Sequence, residues 1–466
     1  MNAEKSLKMR NMPVGRLLAT MSIPAITSML IQALYNVVDT FYVSLIDPES
    51  NVMITAVGYA MPVQIIIMAF ALGIGVGTTV LVARKLGEQD KPAASNVAQT
   101  GLVMAVVSGV VFLALSFFAA GPFMDLMSDI PEIIYHGQQY LQVIMMFSVF
   151  LFVEIVSNRI LQGQGRMVIP MVTQIIGAVV NIILDPILIF GWLGFPALGV
   201  KGAAIATIFA QGCAMVFVLI YMFTRKIDID LGLKNFRIKG RYVGEILKTG
   251  APTILMNSVS SVVNILLNNI LKSIDTQERA NAVLTLYFKI QNFVFMPVFG
   301  LNQGGLPILS YNYGAADKGR YHRTFKLMLR SAFVILLVGF IIFQAMPETL
   351  IKIFTKEAET IAIGRNAFRI ISVAFLPAAF GIILTISFQS ISHGRSALMM
   401  SILRQVVLLI PSAYLLGKFL GLGYIWLAFP ISELIVAAVF YPVFQRTIKA
   451  AFASKLAAQQ ISVIQE

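Results

Sequence analysis

Apolar stretches of roughly 20 residues or more, each long enough to cross a bilayer as a helix, recur along the whole chain. Twelve spans are read at 17–46, 53–83, 95–120, 136–163, 167–192, 198–224, 245–272, 280–310, 322–346, 361–391, 396–418 and 423–445. In lipid every backbone N–H and C=O must find its partner within the protein, which leaves helices or a closed barrel. A barrel would show alternating segments of about 10 residues, and these runs are continuous. The chain is therefore expected to be an all-α polytopic membrane protein. Composition agrees: only 12% of the 466 residues are charged and 58% are hydrophobic, where a soluble domain carries about 25% charged residues.

The net charge of +13 raises the possibility of a nucleic-acid partner. Placement argues for topology instead. An even number of spans puts both termini on one side. That side holds Arg84, Lys85 and Lys91, then Arg225, Lys226, Lys234, Arg237, Lys239 and Arg241, then Lys318, Arg320, Arg323 and Lys326. The other side is acidic or sparse, as at Asp47-Pro48-Glu49 and from Asp125 to Glu132. The positive-inside rule puts both termini in the cytoplasm. Lys5, Lys8, Arg10 and Arg16 precede the first span in the manner of a signal peptide. The apolar region is too long for one and no A-x-A site follows, so the first span is read as retained. The single cysteine, Cys213, is read as a packing residue.

The chain repeats internally. Pro24 to Asn36 in the first span has the spacing of Pro252 to Asn264 in the seventh. Gly73, Gly77, Gly87, Asp90 and Lys91 match Gly300, Gly304, Gly314, Asp317 and Lys318, and Gly165-Arg166 matches Gly394-Arg395, all at offsets of 227–229 residues. The repeated unit has an even number of spans, so the halves share one orientation, a parallel repeat. The expected organisation is an N-terminal lobe of six helices (1–224), a basic cytoplasmic linker (225–244), and a C-terminal lobe with the tail (245–466). The glycines in these motifs lie inside spans, where they suit close helix packing rather than nucleotide binding.

Charge inside a span costs about 2.5–3.5 kcal/mol on insertion scales, and such residues usually face a cavity and handle an ion or substrate. Gln32, Asn36 and Asp39 make one polar stripe on the first span, at i, i+4 and i+7. Asn181 and Asp185 share a face of the fifth. Both acids fall about two turns short of the outer ends of their spans, so facing stripes would form one pocket able to take protons or to ligate Na⁺ at Asp39 and Asp185. Pro186 has no N–H and its ring crowds the Ile182 carbonyl, so that helix is expected to bend or open there. Pro24 and Pro186 are the hinge candidates. Glu154 near the membrane middle is a candidate for a substrate cavity. Lys289 is expected to neutralise an acid, while Arg404 and Glu433 are further charges in apolar surroundings. No Walker A sequence or soluble catalytic domain is present, and the Gly-x-Gly-Asp signature of intramembrane aspartyl proteases is missing, so neither an ATP-driven pump nor an enzyme is expected.

The segments Gln32-Ala-Leu-Tyr-Asn-Val-Val-Asp39-Thr-Phe, Leu161-Gln-Gly-Gln-Gly-Arg166, Asn181-Ile-Ile-Leu-Asp185-Pro-Ile-Leu-Ile-Phe-Gly191 and Gly202-Ala-Ala-Ile-Ala-Thr207 resemble those of the MATE family of multidrug and toxic compound extrusion transporters. Pro307-Ile-Leu-Ser-Tyr-Asn-Tyr-Gly314 and Trp426-Leu-Ala-Phe-Pro-Ile-Ser-Glu433 fit as well. The resemblance covers nearly the whole chain and is nearest the bacterial branch of DinF-like and MepA-like exporters. It implies two six-helix lobes in a V and a secondary antiporter of the bacterial cytoplasmic membrane. Such an antiporter exports cationic amphiphilic drugs in exchange for H⁺ or Na⁺, without a cofactor, as a monomer among membrane lipids. It places the cation site at Asp39, Asn181 and Asp185, with Thr207 at a less secure family position. The acidic pair of NorM-type members on helices 7 and 10 has no counterpart: Asn257, Asn264, Asn268 and Asn269 stand on the seventh span and Gln389 on the tenth. Leu267 occupies the position matching Asp39, so ion coupling is expected in the N-terminal lobe alone. A lipid-linked oligosaccharide flippase of the same superfamily is the alternative. Its anionic substrate would need cations, for which Lys289 and Arg404 are candidates.

Overall fold

The computed structural model describes residues 9–46, 52–232, 239–275 and 277–465, which form helices and connecting turns with no strand among them. Asp47-Pro48-Glu49 and the linker residues Lys234 and Arg237 lie outside the described residues. The first half contains α1 (Val14–Ser44), α2 (Val52–Gly87), α3 (Lys91–Met127), α4 (Pro131–Met146), α5 (Ser148–Gly163), α6 (Val168–Phe190) and α7 (Gly199–Thr224). The second contains α8 (Gly240–Ile274), α9 (Arg279–Gly314), α10 (Lys318–Ala345), α11 (Pro347–Lys352), α12 (Ala358–Ser372) and α13 (Phe375–Ser390). It closes with α14 (Gly394–Ile402), a π-helical segment (Leu403–Leu409), α15 (Ile410–Leu420), α16 (Leu422–Ile425) and α17 (Ala428–Gln465). Ten helices or helix runs are long and apolar enough to span, and the bent pairs α4/α5 (46°) and α12/α13 (50°) make two more. The protein is a multi-pass membrane protein with the twelve spans read from the sequence.

The repeat recurs in backbone detail. Asp90 and Asp317 each cap the following helix, accepting from the N–H of Ala93 at 3.0 Å and of Arg320 at 2.8 Å. The residue before each adopts a left-handed conformation, Gln89 at φ 62° and Ala316 at φ 55°. A side-chain acceptor at that position satisfies one of the orphan amides of the first turn. The breaks in the bent spans, at Phe147 and Ala374, also stand 227 residues apart. One pairing shifts. The left-handed turn after α5 is at Gly165 (φ 76°) and its counterpart is Ser392 (φ 59°), not Gly394. In both turns the next amide closes onto the same carbonyl, Arg166 N to Leu161 O at 3.0 Å and His393 N to Phe388 O at 2.9 Å.

Contacts divide the chain into two compact units. One comprises Ile23–Ile254 with the start of the chain up to Asn11, and the other Met12–Ser22 with Leu255–Glu466. The division falls inside α1 and α8, so the opening turns of each pack in the unit formed by the other repeat. Glycine permits both arrangements. In the first unit a Cβ on Gly77 would collide with the Ile246 carbonyl, and one on Gly250 with the Gly73 carbonyl. In the second, a Cβ on Gly304, the repeat partner of Gly77, would stand 2.8 Å from the backbone N and Cα of Ser22. These are the close approaches that small residues allow in membrane helices. Arg320 ties the same segment down, its Nη2 donating to the Met12 carbonyl at 2.5 Å.

The start of the linker is docked on the first unit. Asp228 takes an ion pair from Arg166 at 3.5 Å, and its N–H donates to Gln164 Oε1 at 3.0 Å. The Asp230 N–H donates to Ser95 Oγ at 2.8 Å, and Ile229 and Leu231 are buried. Arg166 also donates to the Lys226 carbonyl and the Tyr221 hydroxyl. Arg166→Ala is therefore expected to free this segment. Limited trypsin digestion should cut after Arg225 or Lys226 several-fold faster than in the wild type, and an unchanged rate would contradict the docking.

Candidate functional site

The polar residues of the first unit converge from five helices. Gly202 lets α7 press against α6, since a Cβ there would collide with the Leu188 carbonyl, and Gly191 at φ 75° terminates α6 in the left-handed form that glycine adopts without strain. This brings Thr207 of α7 to Asn181 of α6: Asn181 Nδ2 donates to Thr207 Oγ1 at 3.4 Å and to Asp185 Oδ1 at 3.3 Å. Asn181 and Asp185 are fully buried. Asp39 of α1 lies within charge–charge reach of Asp185. Tyr35, one turn before Asp39, reaches Thr207, and Tyr140 of α4 faces both acids while accepting from Gln64 Nε2 of α2 at 2.8 Å.

Of the residues expected at a cation site, Asp39, Asn181 and Asp185 are thus brought together, with Thr207 beside Asn181. Tyr35, Gln64 and Tyr140 join it, and none was singled out from the sequence. Tyr35 had a usable signal, because four residues separate it from Asp39 and residues so spaced share a helix face. Gln64 and Tyr140 lie on helices with no spacing relation to the acids. Three acceptor oxygens of the pocket are buried without a donor: Asp39 Oδ1, Asn181 Oδ1 and Asp185 Oδ2. An unsatisfied buried acceptor costs about 1–3 kcal/mol, more when charged. The donor set is all oxygen, two carboxylates with an amide and hydroxyls, which is the chemistry that takes a proton or a hard monovalent cation.

The other candidates fall elsewhere. Asn36 is exposed and Gln32 half-buried on α1. α6 stays helical on both sides of Pro186, where a bend or an opening is expected, and Pro24 likewise lies inside α1. Neighbouring groups in a bundle take up the carbonyl that a proline frees. Glu154 engages its own helix rather than the pocket: Asn158 Nδ2 donates to Glu154 Oε1 at 2.6 Å, and Arg159 lies in charge contact. Arg159, overlooked in the sequence, donates to Gln162 Oε1 at 3.0 Å. Lys289 neutralises no acid among the described residues. It is exposed, because Tyr287 two residues earlier takes the buried face of α9. Leu267, at the position matching Asp39, is buried as core.

A duplicated helical bundle spanning the membrane twelve times, with a buried carboxylate pocket in its first unit, is the class of protein these features define. The MatE family model matches the chain twice, over residues 24–187 and 252–415. The chain belongs to the MatE family. It is 27% identical over 407 residues to the multidrug export protein MepA of Staphylococcus saprophyticus, covering 87% of this chain and 88% of that one. It is 26% identical over 419 residues to MepA of Staphylococcus aureus strain MRSA252, with 89% and 90% covered. Among solved structures, a MOP superfamily transporter from Pyrococcus furiosus aligns with a TM-score of 0.90 at 25% identity over 97% of this chain and 99% of that one. MATE in a straight conformation aligns with a TM-score of 0.90 at 27% identity (97% and 99% covered), and in a bent conformation with 0.90 at 26% (98% and 100% covered).

Proposed function

We propose that this protein is a multidrug efflux antiporter of the bacterial cytoplasmic membrane, with both termini cytoplasmic, that exports cationic amphiphilic compounds in exchange for H⁺ or Na⁺. The observation that carries the reading is the set of three donorless oxygens on Asp39, Asn181 and Asp185. A proton on either carboxylate, or a metal cation drawn to these oxygens, relieves part of that deficit and its departure restores it, so the pocket has two states that differ in energy. The names of the MepA relatives support the substrate class. Tyr35, Tyr140 and Thr207 hold the acids in position, and Pro24 and Pro186 lie on the two helices that the cation rearranges. Asn36, on the stripe of Asp39, belongs with the cation-coupling residues, and Gln32, Glu154 and Lys289 are candidates for contacts with the substrate or cation.

One H⁺ exchanged for one monovalent drug cation moves no net charge, so a pH difference alone would drive it. Each pH unit supplies about 1.4 kcal/mol, a tenfold accumulation. A process that moved one net charge would instead gain about 2.3 kcal/mol per 100 mV. The flippase alternative loses support at Arg404, which is paired with Glu433 at 3.3 Å and is not a free cation for an anionic headgroup. The test is uphill movement of ethidium in proteoliposomes under an imposed pH or Na⁺ gradient. Accumulation driven by one of the gradients and abolished by its collapse is the expected result. Equal, merely downhill movement under every condition would overturn antiport.

A further inference from the structure

We infer that the second unit carries a proton-binding site of its own, the Glu433 carboxylate on α17, held against Arg404 of the π-helical segment. The register of the turns after α5 and α13, together with Gln162 and Gln389 before them, places Gly381 at the position of Glu154. In the first unit α5 supplies the acid there and Arg159 the cation. In the second, α13 supplies no side chain, and the space is taken from another helix: a Cβ on Gly381 would stand 3.3 Å from Glu433 Oε2 and 3.9 Å from Arg404 Nη1. Both units thus keep one carboxylate and one guanidinium in the same part of the bundle, both from α5 in the first and from α17 and the π-helical segment in the second. A packing residue alone would not require that combination twice.

The two pairs are not equally satisfied. Glu154 has the amide of Asn158 at 2.6 Å as well as Arg159. Glu433 has one contact, Arg404 Nη1 to Oε1 at 3.3 Å, and its Oε2 is buried without a donor. Tyr287 of α9 is the other ionisable group facing it. α12, α13 and α15 also pack on α17, and none of their charged groups faces Glu433. Arg365 is engaged by Glu348, and Lys418 by Tyr414. A metal cation is disfavoured because the guanidinium already faces the carboxylate, which leaves the proton as the ligand. A proton on Oε2 neutralises the acid and leaves the Arg404 charge uncompensated.

That change would act on a weak point. Arg404 and Gln405 both sit in the π-helical segment Leu403–Leu409, and Gln405 Oε1 accepts from Ser260 Oγ of α8 at 3.2 Å. Wide turns of this kind inside an α-helix are poorly bonded and are frequent where helices work. The segment therefore links the proton on α17 to α8. Ion coupling would then extend beyond the N-terminal lobe, to which the absence of an acid at Leu267 confines it in the sequence reading.

The test is pH-difference infrared spectroscopy of the reconstituted protein, read in the high-frequency carboxyl region where protonated acids without hydrogen-bond partners absorb. In D39N/E154Q/D185N, which removes the other acids in the interior of the spans, one such band should appear on acidification, and adding E433Q should remove it. Should the multiple variant fold poorly, the wild-type spectrum minus that of E433Q alone reads the same band. No band in the multiple variant, or an unchanged spectrum in E433Q, overturns the site. Loss of gradient-driven efflux is a separate readout, so failure of the antiport proposal would leave this result standing.

Discussion

Asp39→Asn is expected to abolish gradient-driven ethidium efflux, reducing it to the level of cells without the protein, while expression and membrane insertion stay at the wild-type level. Asparagine keeps the shape and one acceptor oxygen but cannot hold a proton or balance a cation. Of the three donorless oxygens, the one on α1 is Asp39 Oδ1, and α1 is the helix that would have to respond. The folded protein should not suffer, because removing an uncompensated buried carboxylate relieves a penalty of a few kcal/mol on insertion scales. Asp185→Asn should give the same loss, since both acids serve one pocket. Leu267→Ala is the informative contrast. It deletes buried packing at the matching position and should cost about 2–5 kcal/mol of stability, while the surviving folded protein keeps its ion dependence. Efflux by Asp39→Asn at the wild-type rate, measured by ethidium fluorescence in cells of matched expression, would end the proposed mechanism.

Gly250→Val should leave little folded protein. The Cβ of any residue there meets the Gly73 carbonyl, which is backbone of a buried helix and cannot swing aside as a side-chain tip can. Overpacking of a core typically costs about 1–3 kcal/mol, occasionally more, and a helix pair held at backbone contact belongs at the upper end. Against a total stability of about 5–15 kcal/mol, the folded fraction in detergent should fall steeply. Gly77→Val meets the Ile246 carbonyl and should behave alike. Gly58→Ala on α2 and Gly244→Ala on α8 are the controls, having nothing within 4 Å of the added carbon. Fluorescence-detected size exclusion separates the outcomes: a monodisperse peak for the controls and aggregate for the two valines. A monodisperse Gly250→Val would show that α8 can be accommodated at a greater distance.

Much of this was legible in the sequence because hydrophobic length and spacing are local properties. Twelve spans, a parallel repeat and the glycine seams follow from runs and intervals that a chain cannot hide. The pocket was half legible. Asp39, Asn181 and Asp185 stand out because charge and amide are costly in an apolar run, and their periodicity says which of them share a face. Tyr140 and Gln64 do not stand out, because a tyrosine or a glutamine in a span is common and only the packing of α4 against α2 and α7, and of α7 against α6, gives them a role. The charged residues divided along the same line. The pairing of Arg404 with Glu433 and of Glu154 with Arg159, and the exposure of Lys289, depend on which face each helix turns inward. Helix rotation is set by all neighbours together and not by the residue's own surroundings in sequence. Pro186 is a different case: the clash rule predicts a bend or an opening, and the helix runs on both sides of it.

The exchange of opening turns between α1 and α8 has a consequence for biosynthesis. The segment Met12–Ser22 is translated well before its packing partners in the second unit, among them Gly304 and Arg320, which follow about 300 residues later. The first unit in turn is incomplete until Gly250 has been made. Neither unit can finish folding as soon as its own repeat has been synthesised. The nascent chain must therefore hold the start of α1 without these partners until the second repeat has been made, and a chain that stalls between the two repeats would present that segment to quality control as the mark of an unfinished protein.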